Sequence, residues 1–351
     1  MSDSSGASPG ATAVTLEDVA RAAGVSLATA SRVLNGSTRR VADSYRAKVE
    51  VEAARLGYTA NLSAQATARG TAAIIALLVA DIADPYFGQI AAGVARGADE
   101  AGLVVTIAIT ERDLDREVRL LRALRGQRPR GVILAASRST DSAEPTLRKE
   151  LAAIAAFGGR VVALGPGAGE VRSVLVDNRG GARALGTALA ARGYRRAVVL
   201  AAAEGVYTSD ERVTGFAEGF AEGGGVIERI HRGGFTRESG AALAAAALEA
   251  GVEPGTLVFA ISDVVAIGAL SAFAAAGRAV GADIALAGFD DIPTSRDVTP
   301  SLSTVRVPLD EVGYQALRAA VDADWRSAGP LALEAVLRES TPGPDARGPA
   351  A

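Results

Sequence analysis

No cysteine occurs in the 351 residues, which excludes disulfides and thiolate chemistry. There is one histidine, His231, and its charged Ile-His-Arg-Gly-Gly setting reads as a solvated loop. No His, Asp and Glu cluster has metal-ligand spacing, and no G-x-S-x-G marks a nucleophile. No metal, no cofactor and no catalytic residue is therefore expected. No apolar run reaches the ~20 residues that span a bilayer, so no membrane partner is expected. The opening MSDSSGASPGATA lacks the basic and apolar regions of a signal peptide, and a cytoplasmic location is the expectation. The closing TPGPDARGPAA is rich in Pro and Gly and holds no leucine heptads that would support a helical bundle. Residues 1–14 and 341–351 are expected to be disordered tails.

Hydrophobic residues make up 49% of the chain, ample for a sizeable core, and the length exceeds one average domain. The net charge of −3 argues against a general nucleic-acid binder, but the distribution is uneven. Residues 15–60 hold seven basic and five acidic side chains, a local charge of +2 that leaves −5 elsewhere. A mildly basic head on an acidic body fits a protein that touches DNA at one end.

That head contains TLEDVARAAGVSLATASRVLNG, residues 15–36. Leu16, Val19, Ala20 and Ala23 recur at helical spacing, with Thr15 as N-cap and Asp18 in capping-box position. Gly24 supplies a C-cap, Val25 fills the corner, and Ser26 caps a second helix over 27–34 with Val33 and Leu34 inward. Two short helices across a glycine turn fit a helix-turn-helix, whose second helix enters the major groove; an ordinary αα-corner is the alternative. Outward residues of that helix are Leu27, Ala28, Thr29, Ser31 and Arg32. A third helix carries Val49, Ala53 and Leu56 inward and ends at Gly57, but Ala42 stands where a Ser or Thr cap is usual.

VSLATASRVLNG, the ending Leu56-Gly57-Tyr58 and the following Asn61 resemble the headpiece of LacI/GalR-family transcription regulators. The resemblance implies that Ser26, Thr29, Ser31 and Asn35 contact phosphates or lock the headpiece, while Leu27, Ala28 and Arg32 face base edges. Thr15 and Tyr58 are expected to complete the DNA-binding set, and Arg39 and Arg40, in a loop one residue longer than in the best-known members, are expected to add phosphate contacts. Residues 61–71 align with a hinge helix that wedges a leucine into the minor groove. Here Asn61 and the small Ala64 are kept, but Thr67 stands at the wedge position and Gln65 replaces an arginine. A headpiece this small reads few base pairs, so a homodimer on a pseudo-palindromic double-stranded operator is expected.

From residue 72 onward, eight apolar runs alternate with helical stretches, at 72–79, 103–109, 131–136, 160–165, 173–177, 197–202, 256–261 and 282–289. Such runs signal parallel sheets covered on both faces, and eight are too many for one small doubly wound domain. The expected fold class is α/β, with a helix-turn-helix headpiece (15–60), a hinge (61–71) and a two-lobed periplasmic-binding-protein-like body (72–340). The resemblance implies crossovers near Val176, Val307 and Ser327. The first lobe is then about 72–176 with 308–327, and the second about 177–307 with 328–340. Trp325 is expected to pack near the last crossover. Gly165-Pro166-Gly167-Ala168-Gly169 superficially suggests a nucleotide loop, but Glu170 stands where a third glycine is needed and an apolar run follows, so a surface turn is expected.

The cleft at the strand ends is the expected ligand site. Asp84-Pro85-Tyr86-Phe87 matches the family's N-P-F-F-like loop, placing Tyr86 and Phe87 at the ligand. Arg212 in ERVTGF is the family arginine that forks onto sugar hydroxyls or a carboxylate. Asp263 and Asp290 occupy positions where carboxylates accept from vicinal hydroxyls, with helix or strand-end capping as the competing reading. Ser262, Gly165, Val307 and Leu309 replace more polar family residues. The expected function is a ligand-controlled dimeric repressor with a small sugar-like effector, and Arg212→Ala is expected to remove the ligand response alone. The alternative is a sugar-binding module without DNA function.

Overall fold

The structure is a computed structural model that describes residues 14–34, 41–59, 72–136, 145–167 and 171–344. The chain divides into two compact units, Met1–Ala72 and Ala73–Ala351. Three helices build the first: α1 (Leu16–Ala23), α2 (Leu27–Leu34) and α3 (Asp43–Leu56). Thr15 closes the expected capping box, accepting from the Asp18 N–H at 3.3 Å while its own N–H donates to the Asp18 carboxylate at 3.0 Å. Gly24 ends α1 at φ 65°, a left-handed turn that favours glycine. Ser26 caps α2, accepting from Thr29 N–H at 3.2 Å. The core is small: Val19, Ala20, Ala23, Ala30, Val33, Val49 and Ala53 are buried, with Val14, Leu16, Val25, Leu34, Val41, Leu56 and Tyr58 packed around them. So little apolar area makes a marginal domain in which each cap counts. Ala42 heads α3 with no side-chain hydrogen bond to its first turn.

The second unit opens with β1 (Ala72–Val79), α4 (Pro85–Glu100), β2 (Val104–Ile109), α5 (Leu114–Gly126), β3 (Pro129–Leu134), α6 (Pro145–Ala156), β4 (Arg160–Leu164) and β5 (Arg172–Val174). Their sheet runs β2-β1-β3-β4-β5, with β1–β2, β3–β4 and β4–β5 paired in parallel. The loop after β4 leads into strand β5, not into a helix. Alternate residues of β1 serve opposite faces. Ala76 and Leu78 pack with α5 and α6, whereas Ile75, Leu77 and Val79 join the larger core that includes α4.

Next come α7 (Asn178–Ala191), β6 (Arg196–Ala202), α8 (Tyr207–Glu222), β7 (Val226–Gly233), α9 (Arg237–Glu249), β8 (Leu257–Ala260), α10 (Asp263–Ala275) and β9 (Ala285–Ala287). This second sheet is parallel throughout, in the order β7-β6-β8-β9. Strand β7 is absent from the sequence reading. It is an edge strand whose exposed face carries Glu228 and Arg229, so it has no continuous apolar run. His231 therefore lies on a strand, half-buried opposite Leu200, and not in a loop.

The chain then runs through α11 (Thr294–Asp297), β10 (Thr304–Arg306), α12 (Leu309–Val321) and β11 (Glu334–Val336). Helix α12 packs on α4 and on strands β3, β4 and β5, while β10 and β11 pair with each other beside α7. The chain thus passes between the halves after β5, after β10 and after α12. Val176 bridges Leu331, which ties two of these crossings together. Arg172 on β5 donates to the carbonyl of Ala319 at 2.7 Å and lies 6.0 Å from the half-buried Trp325 ring.

Facing helices meet at backbone contact. A Cβ at Gly93 of α4 would collide with the Asp310 carbonyl, and one at Gly313 of α12 with that of Ile90. The pair α7–α8 interlocks likewise, with Gly215 and Gly219 against the carbonyls of Arg179 and Arg183. On α9–α10, Gly240 meets Val265 and Gly268 meets Arg237 in the same way.

Candidate DNA-binding face and ligand cleft

The outer face of α2 is built by subtraction. Ala30 and Val33 are spent on the core, which turns Leu27, Ala28 and Arg32 to solvent and leaves Thr29 and Ser31 half-buried. Leu27 is 51% exposed, a large apolar side chain with no core to serve. The Ser26 and Thr29 hydroxyls lie 2.8 Å apart and stiffen the helix start. Thr15 uses its side chain in the α1 cap, and Tyr58 is half-buried against the helical core. Asn35, Arg39, Arg40, Asn61, Ala64 and Thr67 lie outside the described residues.

In the second unit the polar candidates gather at the C-terminal ends of strands, where helix starts and loop carbonyls converge. Arg212 projects from α8 and is 2% exposed. Its Nε donates to Asn178 Oδ1 at 2.9 Å and its Nη1 to the Ile261 carbonyl at 2.7 Å. Nη2 lies 2.8 Å from Asp290 Oδ1, and the guanidinium stacks 3.9 Å over the Phe289 ring. Asp290 Oδ1 makes no well-aligned hydrogen bond to a described residue, so the pair is held chiefly by charge. Burial pushes the Asp290 carboxyl up to about 7, although Arg212 pulls it down. The Asp290 backbone sits at φ 116°, an unusual conformation for a non-glycine residue, fixed by its N–H donating to the Val305 carbonyl at 2.9 Å.

Asp263 differs from the expectation. It is fully buried, accepting from Ile292 N–H at 3.0 Å and from the Thr304 hydroxyl at 2.6 Å. Burial raises its carboxyl well above the usual range. Ser262, not Asp263, caps α10, accepting from Val265 N–H at 3.3 Å. The Asp263 side chain ties the loop after β9 to β10.

From the first sheet, Tyr86 and Phe87 sit in the first turn of α4 and part ways. Phe87 is 2% exposed and belongs to the core, touching Tyr86 edge-to-face at 5.0 Å. Tyr86 is half-buried, and its phenol is held above its ordinary value first by burial and then by the Asp290 carboxylate. Tyr86, Arg212 and Asp290 are thus brought together, while the Asp263 carboxylate is committed to Ile292 and Thr304 and Phe87 to the core.

Three neighbours were missed by sequence reasoning, and a fourth, Asp84, entered it only as part of its loop motif. Asp84 caps α4, accepting from Tyr86 N–H at 2.9 Å, and burial raises its carboxyl despite nearby Arg112. Asn178 orients Arg212. Arg112, on the loop after β2, stacks 4.5 Å from the ring of Phe235, on the loop after β7. The D-P-Y-F motif pointed to Asp84, but nothing local pairs Arg112 with Phe235. Among the described residues no His, Cys, Asp and Glu group has a metal-holding arrangement. No described helix is long and apolar enough to cross a membrane.

Comparison with known proteins gives a domain match in each unit. Residues 15–61 match a model of bacterial regulatory proteins, lacI family, and residues 187–341 match a periplasmic binding protein-like domain. The HTH-type transcriptional regulator CelR of Thermobifida fusca is 31% identical over 315 residues, covering 88% of this chain and 91% of that protein. Among solved structures, the Lac repressor bound to ONPG in its repressed state is 25% identical with TM-score 0.79, covering 94% of this chain and 100% of the other. A CelR–cellobiose complex is 29% identical with TM-score 0.66, covering 93% and 99%.

Proposed function

The chain belongs to the lacI family of bacterial regulatory proteins, a family of DNA-binding transcription regulators, and we propose that it is a repressor controlled by a small polyhydroxylated ligand. Residues 15–60 act as the DNA-reading headpiece and 61–71 as the hinge. The body spans 72–340, with a first lobe of about 72–176 and 308–327 and a second of about 177–307 and 328–340. The protein works in the cytoplasm as a homodimer on a pseudo-palindromic operator, because one headpiece reads too few base pairs for useful specificity. No catalytic step is assigned to it.

On the DNA side, Arg32 is the one exposed α2 side chain able to pair bidentately with guanine, and Leu27 and Ala28 offer apolar contact to thymine methyls. Ser26, Thr29, Ser31 and Asn35 approach phosphates, as do Arg39 and Arg40, with Thr15 and Tyr58 holding the helices that present them. Asn61, Ala64 and Thr67 form the hinge contact.

The observation that carries the ligand reading is the buried Arg212–Asp290 pair facing Tyr86 from the opposite lobe. A carboxylate and a guanidinium on one wall accept from and donate to neighbouring hydroxyls, as a sugar ring requires. A similar regulator has been solved with cellobiose. Asp263 supports this wall from behind, and Phe87 packs behind Tyr86 on the opposite one. A ligand alters operator affinity only by preferring one arrangement of the lobes, and such coupling typically amounts to about 1–3 kcal/mol. Titrating the purified chain with cellobiose and related mono- and disaccharides, while following melting temperature and operator binding, tests this. The expected result is one sugar that raises the melting temperature and shifts operator affinity about 5–150-fold. A shift that survives unchanged in Asp290→Leu would place the ligand elsewhere.

A further inference from the structure

We propose that Arg112 is a latch: stacked on Phe235 of the opposite lobe, it holds the cleft closed before any ligand is bound. Arg112 belongs to the loop after β2 in the first lobe, and Phe235 to the loop after β7 in the second. Five arginine–aromatic stacks occur among the described residues. Arg96–Tyr314 and Arg128–Phe157 lie within the first lobe, Arg212–Phe289 lies within the second, and Arg172–Trp325 reaches a crossover. Arg112–Phe235 alone bridges the mouth of the cleft.

The loop that presents Arg112 is built to hold it there. Glu111 and Arg112 are consecutive left-handed residues, φ 53° and 58°, where glycine would be free of strain. Each of the two side chains makes a contact. That of Glu111 is local, a 2.9 Å ion pair with Arg116. The Arg112 side chain has its ring contact on the other lobe. The loop itself is pinned to its own sheet: Thr110 N–H donates to the Val79 carbonyl at 2.8 Å, and Glu111 N–H to that of Ala80 at 3.0 Å. Asp113 then caps α5 through Arg116 N–H. On its own side of the cleft the guanidinium is attracted by Asp84 and Asp81. Opening the lobes would leave Arg112 with these acids and strip Phe235 of its cover.

The test needs no ligand, so its failure is independent of the effector proposal. Because the chain has no cysteine, the Arg119→Cys/Glu249→Cys variant carries two spin labels at exposed helix positions, one per lobe. Chains labelled at both sites and diluted into unlabelled protein give an intramolecular distance distribution by pulsed electron resonance. The parent is expected to populate mainly the shorter distance. Arg112→Ala should raise the open-to-closed ratio about 2- to 30-fold, the range of a cation–π contact between exposed and desolvated settings. Arg112→Lys should retain most of the closed population, which also guards against misfolding. Phe235→Leu should match Arg112→Ala, and the double variant should open no further. An unchanged distribution in Arg112→Ala, or an equal extra opening when it is added to Phe235→Leu, would overturn the latch.

Discussion

Replacing Arg212 with methionine keeps much of the side-chain volume while deleting the one cation that Asp290 touches. Two acceptors lose their donor, Asn178 Oδ1 and the Ile261 carbonyl, and the Asp290 carboxylate loses its counter-ion, all in the interior. Breaking a buried ion pair from one side typically costs about 3–5 kcal/mol, because the remaining charge must be protonated or left unpaired. At about 2–4 °C per kcal/mol for a body of this size, the melting temperature should fall by roughly 6–20 °C. Burial therefore changes the expectation that Arg212→Ala is silent except for ligand response. The second variant in the series is Asp290→Asn, alone and combined with Arg212→Met. If the loss arises from the stranded carboxylate, the double variant should be more stable than the two single losses predict by at least about 1 kcal/mol. Thermal and urea unfolding at about pH 8.5, where a carboxyl raised to about 7 is ionised, measure this. Strict additivity, or an Arg212→Met melting temperature within 2 °C of the parent, would refute the assignment of the pair as the keystone of this wall.

Arg32→Ala should cost about 1–3 kcal/mol per half-site and relax base preference at one symmetric operator position, read by binding selection on randomised half-sites. Uniform weakening across all sequences would make it a phosphate contact instead. The Asp290 carboxyl is raised to about 7 by burial, so it favours folding below its unfolded pKa near 4 and that contribution fades as pH rises through about 7. Asp290→Asn should flatten the fall in melting temperature between about pH 5 and 7.5; an undiminished slope would shift responsibility to Asp263, whose carboxyl is also raised. Ala42→Ser supplies the missing α3 cap and should stabilise the headpiece by about 1 kcal/mol, measured as hydrogen-exchange protection in α3.

How much of this was readable from residues alone depends on the range of the interaction. The α1 capping box and the Ser26 cap span three residues, and they appear as the sequence indicates. Strand β1 spans the residues its apolar run suggests, because a strand covered on both faces needs no pattern except continuous hydrophobicity. Strand β7 fails that criterion, since an edge strand with one wet face carries Glu228, Arg229 and His231. Side-chain direction was less legible. Tyr86 and Phe87 are adjacent in one helical turn and point about 100° apart, so only the tertiary packing decides which meets the cleft. Asp263 and Asp290 both follow apolar strands, yet Thr304 and Ile292 close on the first and Arg212 on the second. Those partners come from distant loops, and so does the Arg112–Phe235 stack.

The glycine contacts between facing helices bear on what the body can and cannot do mechanically. With Gly93 against Asp310, Gly219 against Arg183 and Gly268 against Arg237, the backbones interdigitate like gear teeth. Sliding one helix past its neighbour would force carbonyls through positions that are already filled. Shear between these helix pairs is therefore opposed, and each half resists deformation. The compliance that remains lies in the three short chain segments that join the halves. A molecule that favoured one arrangement of the halves would then act chiefly at that axle.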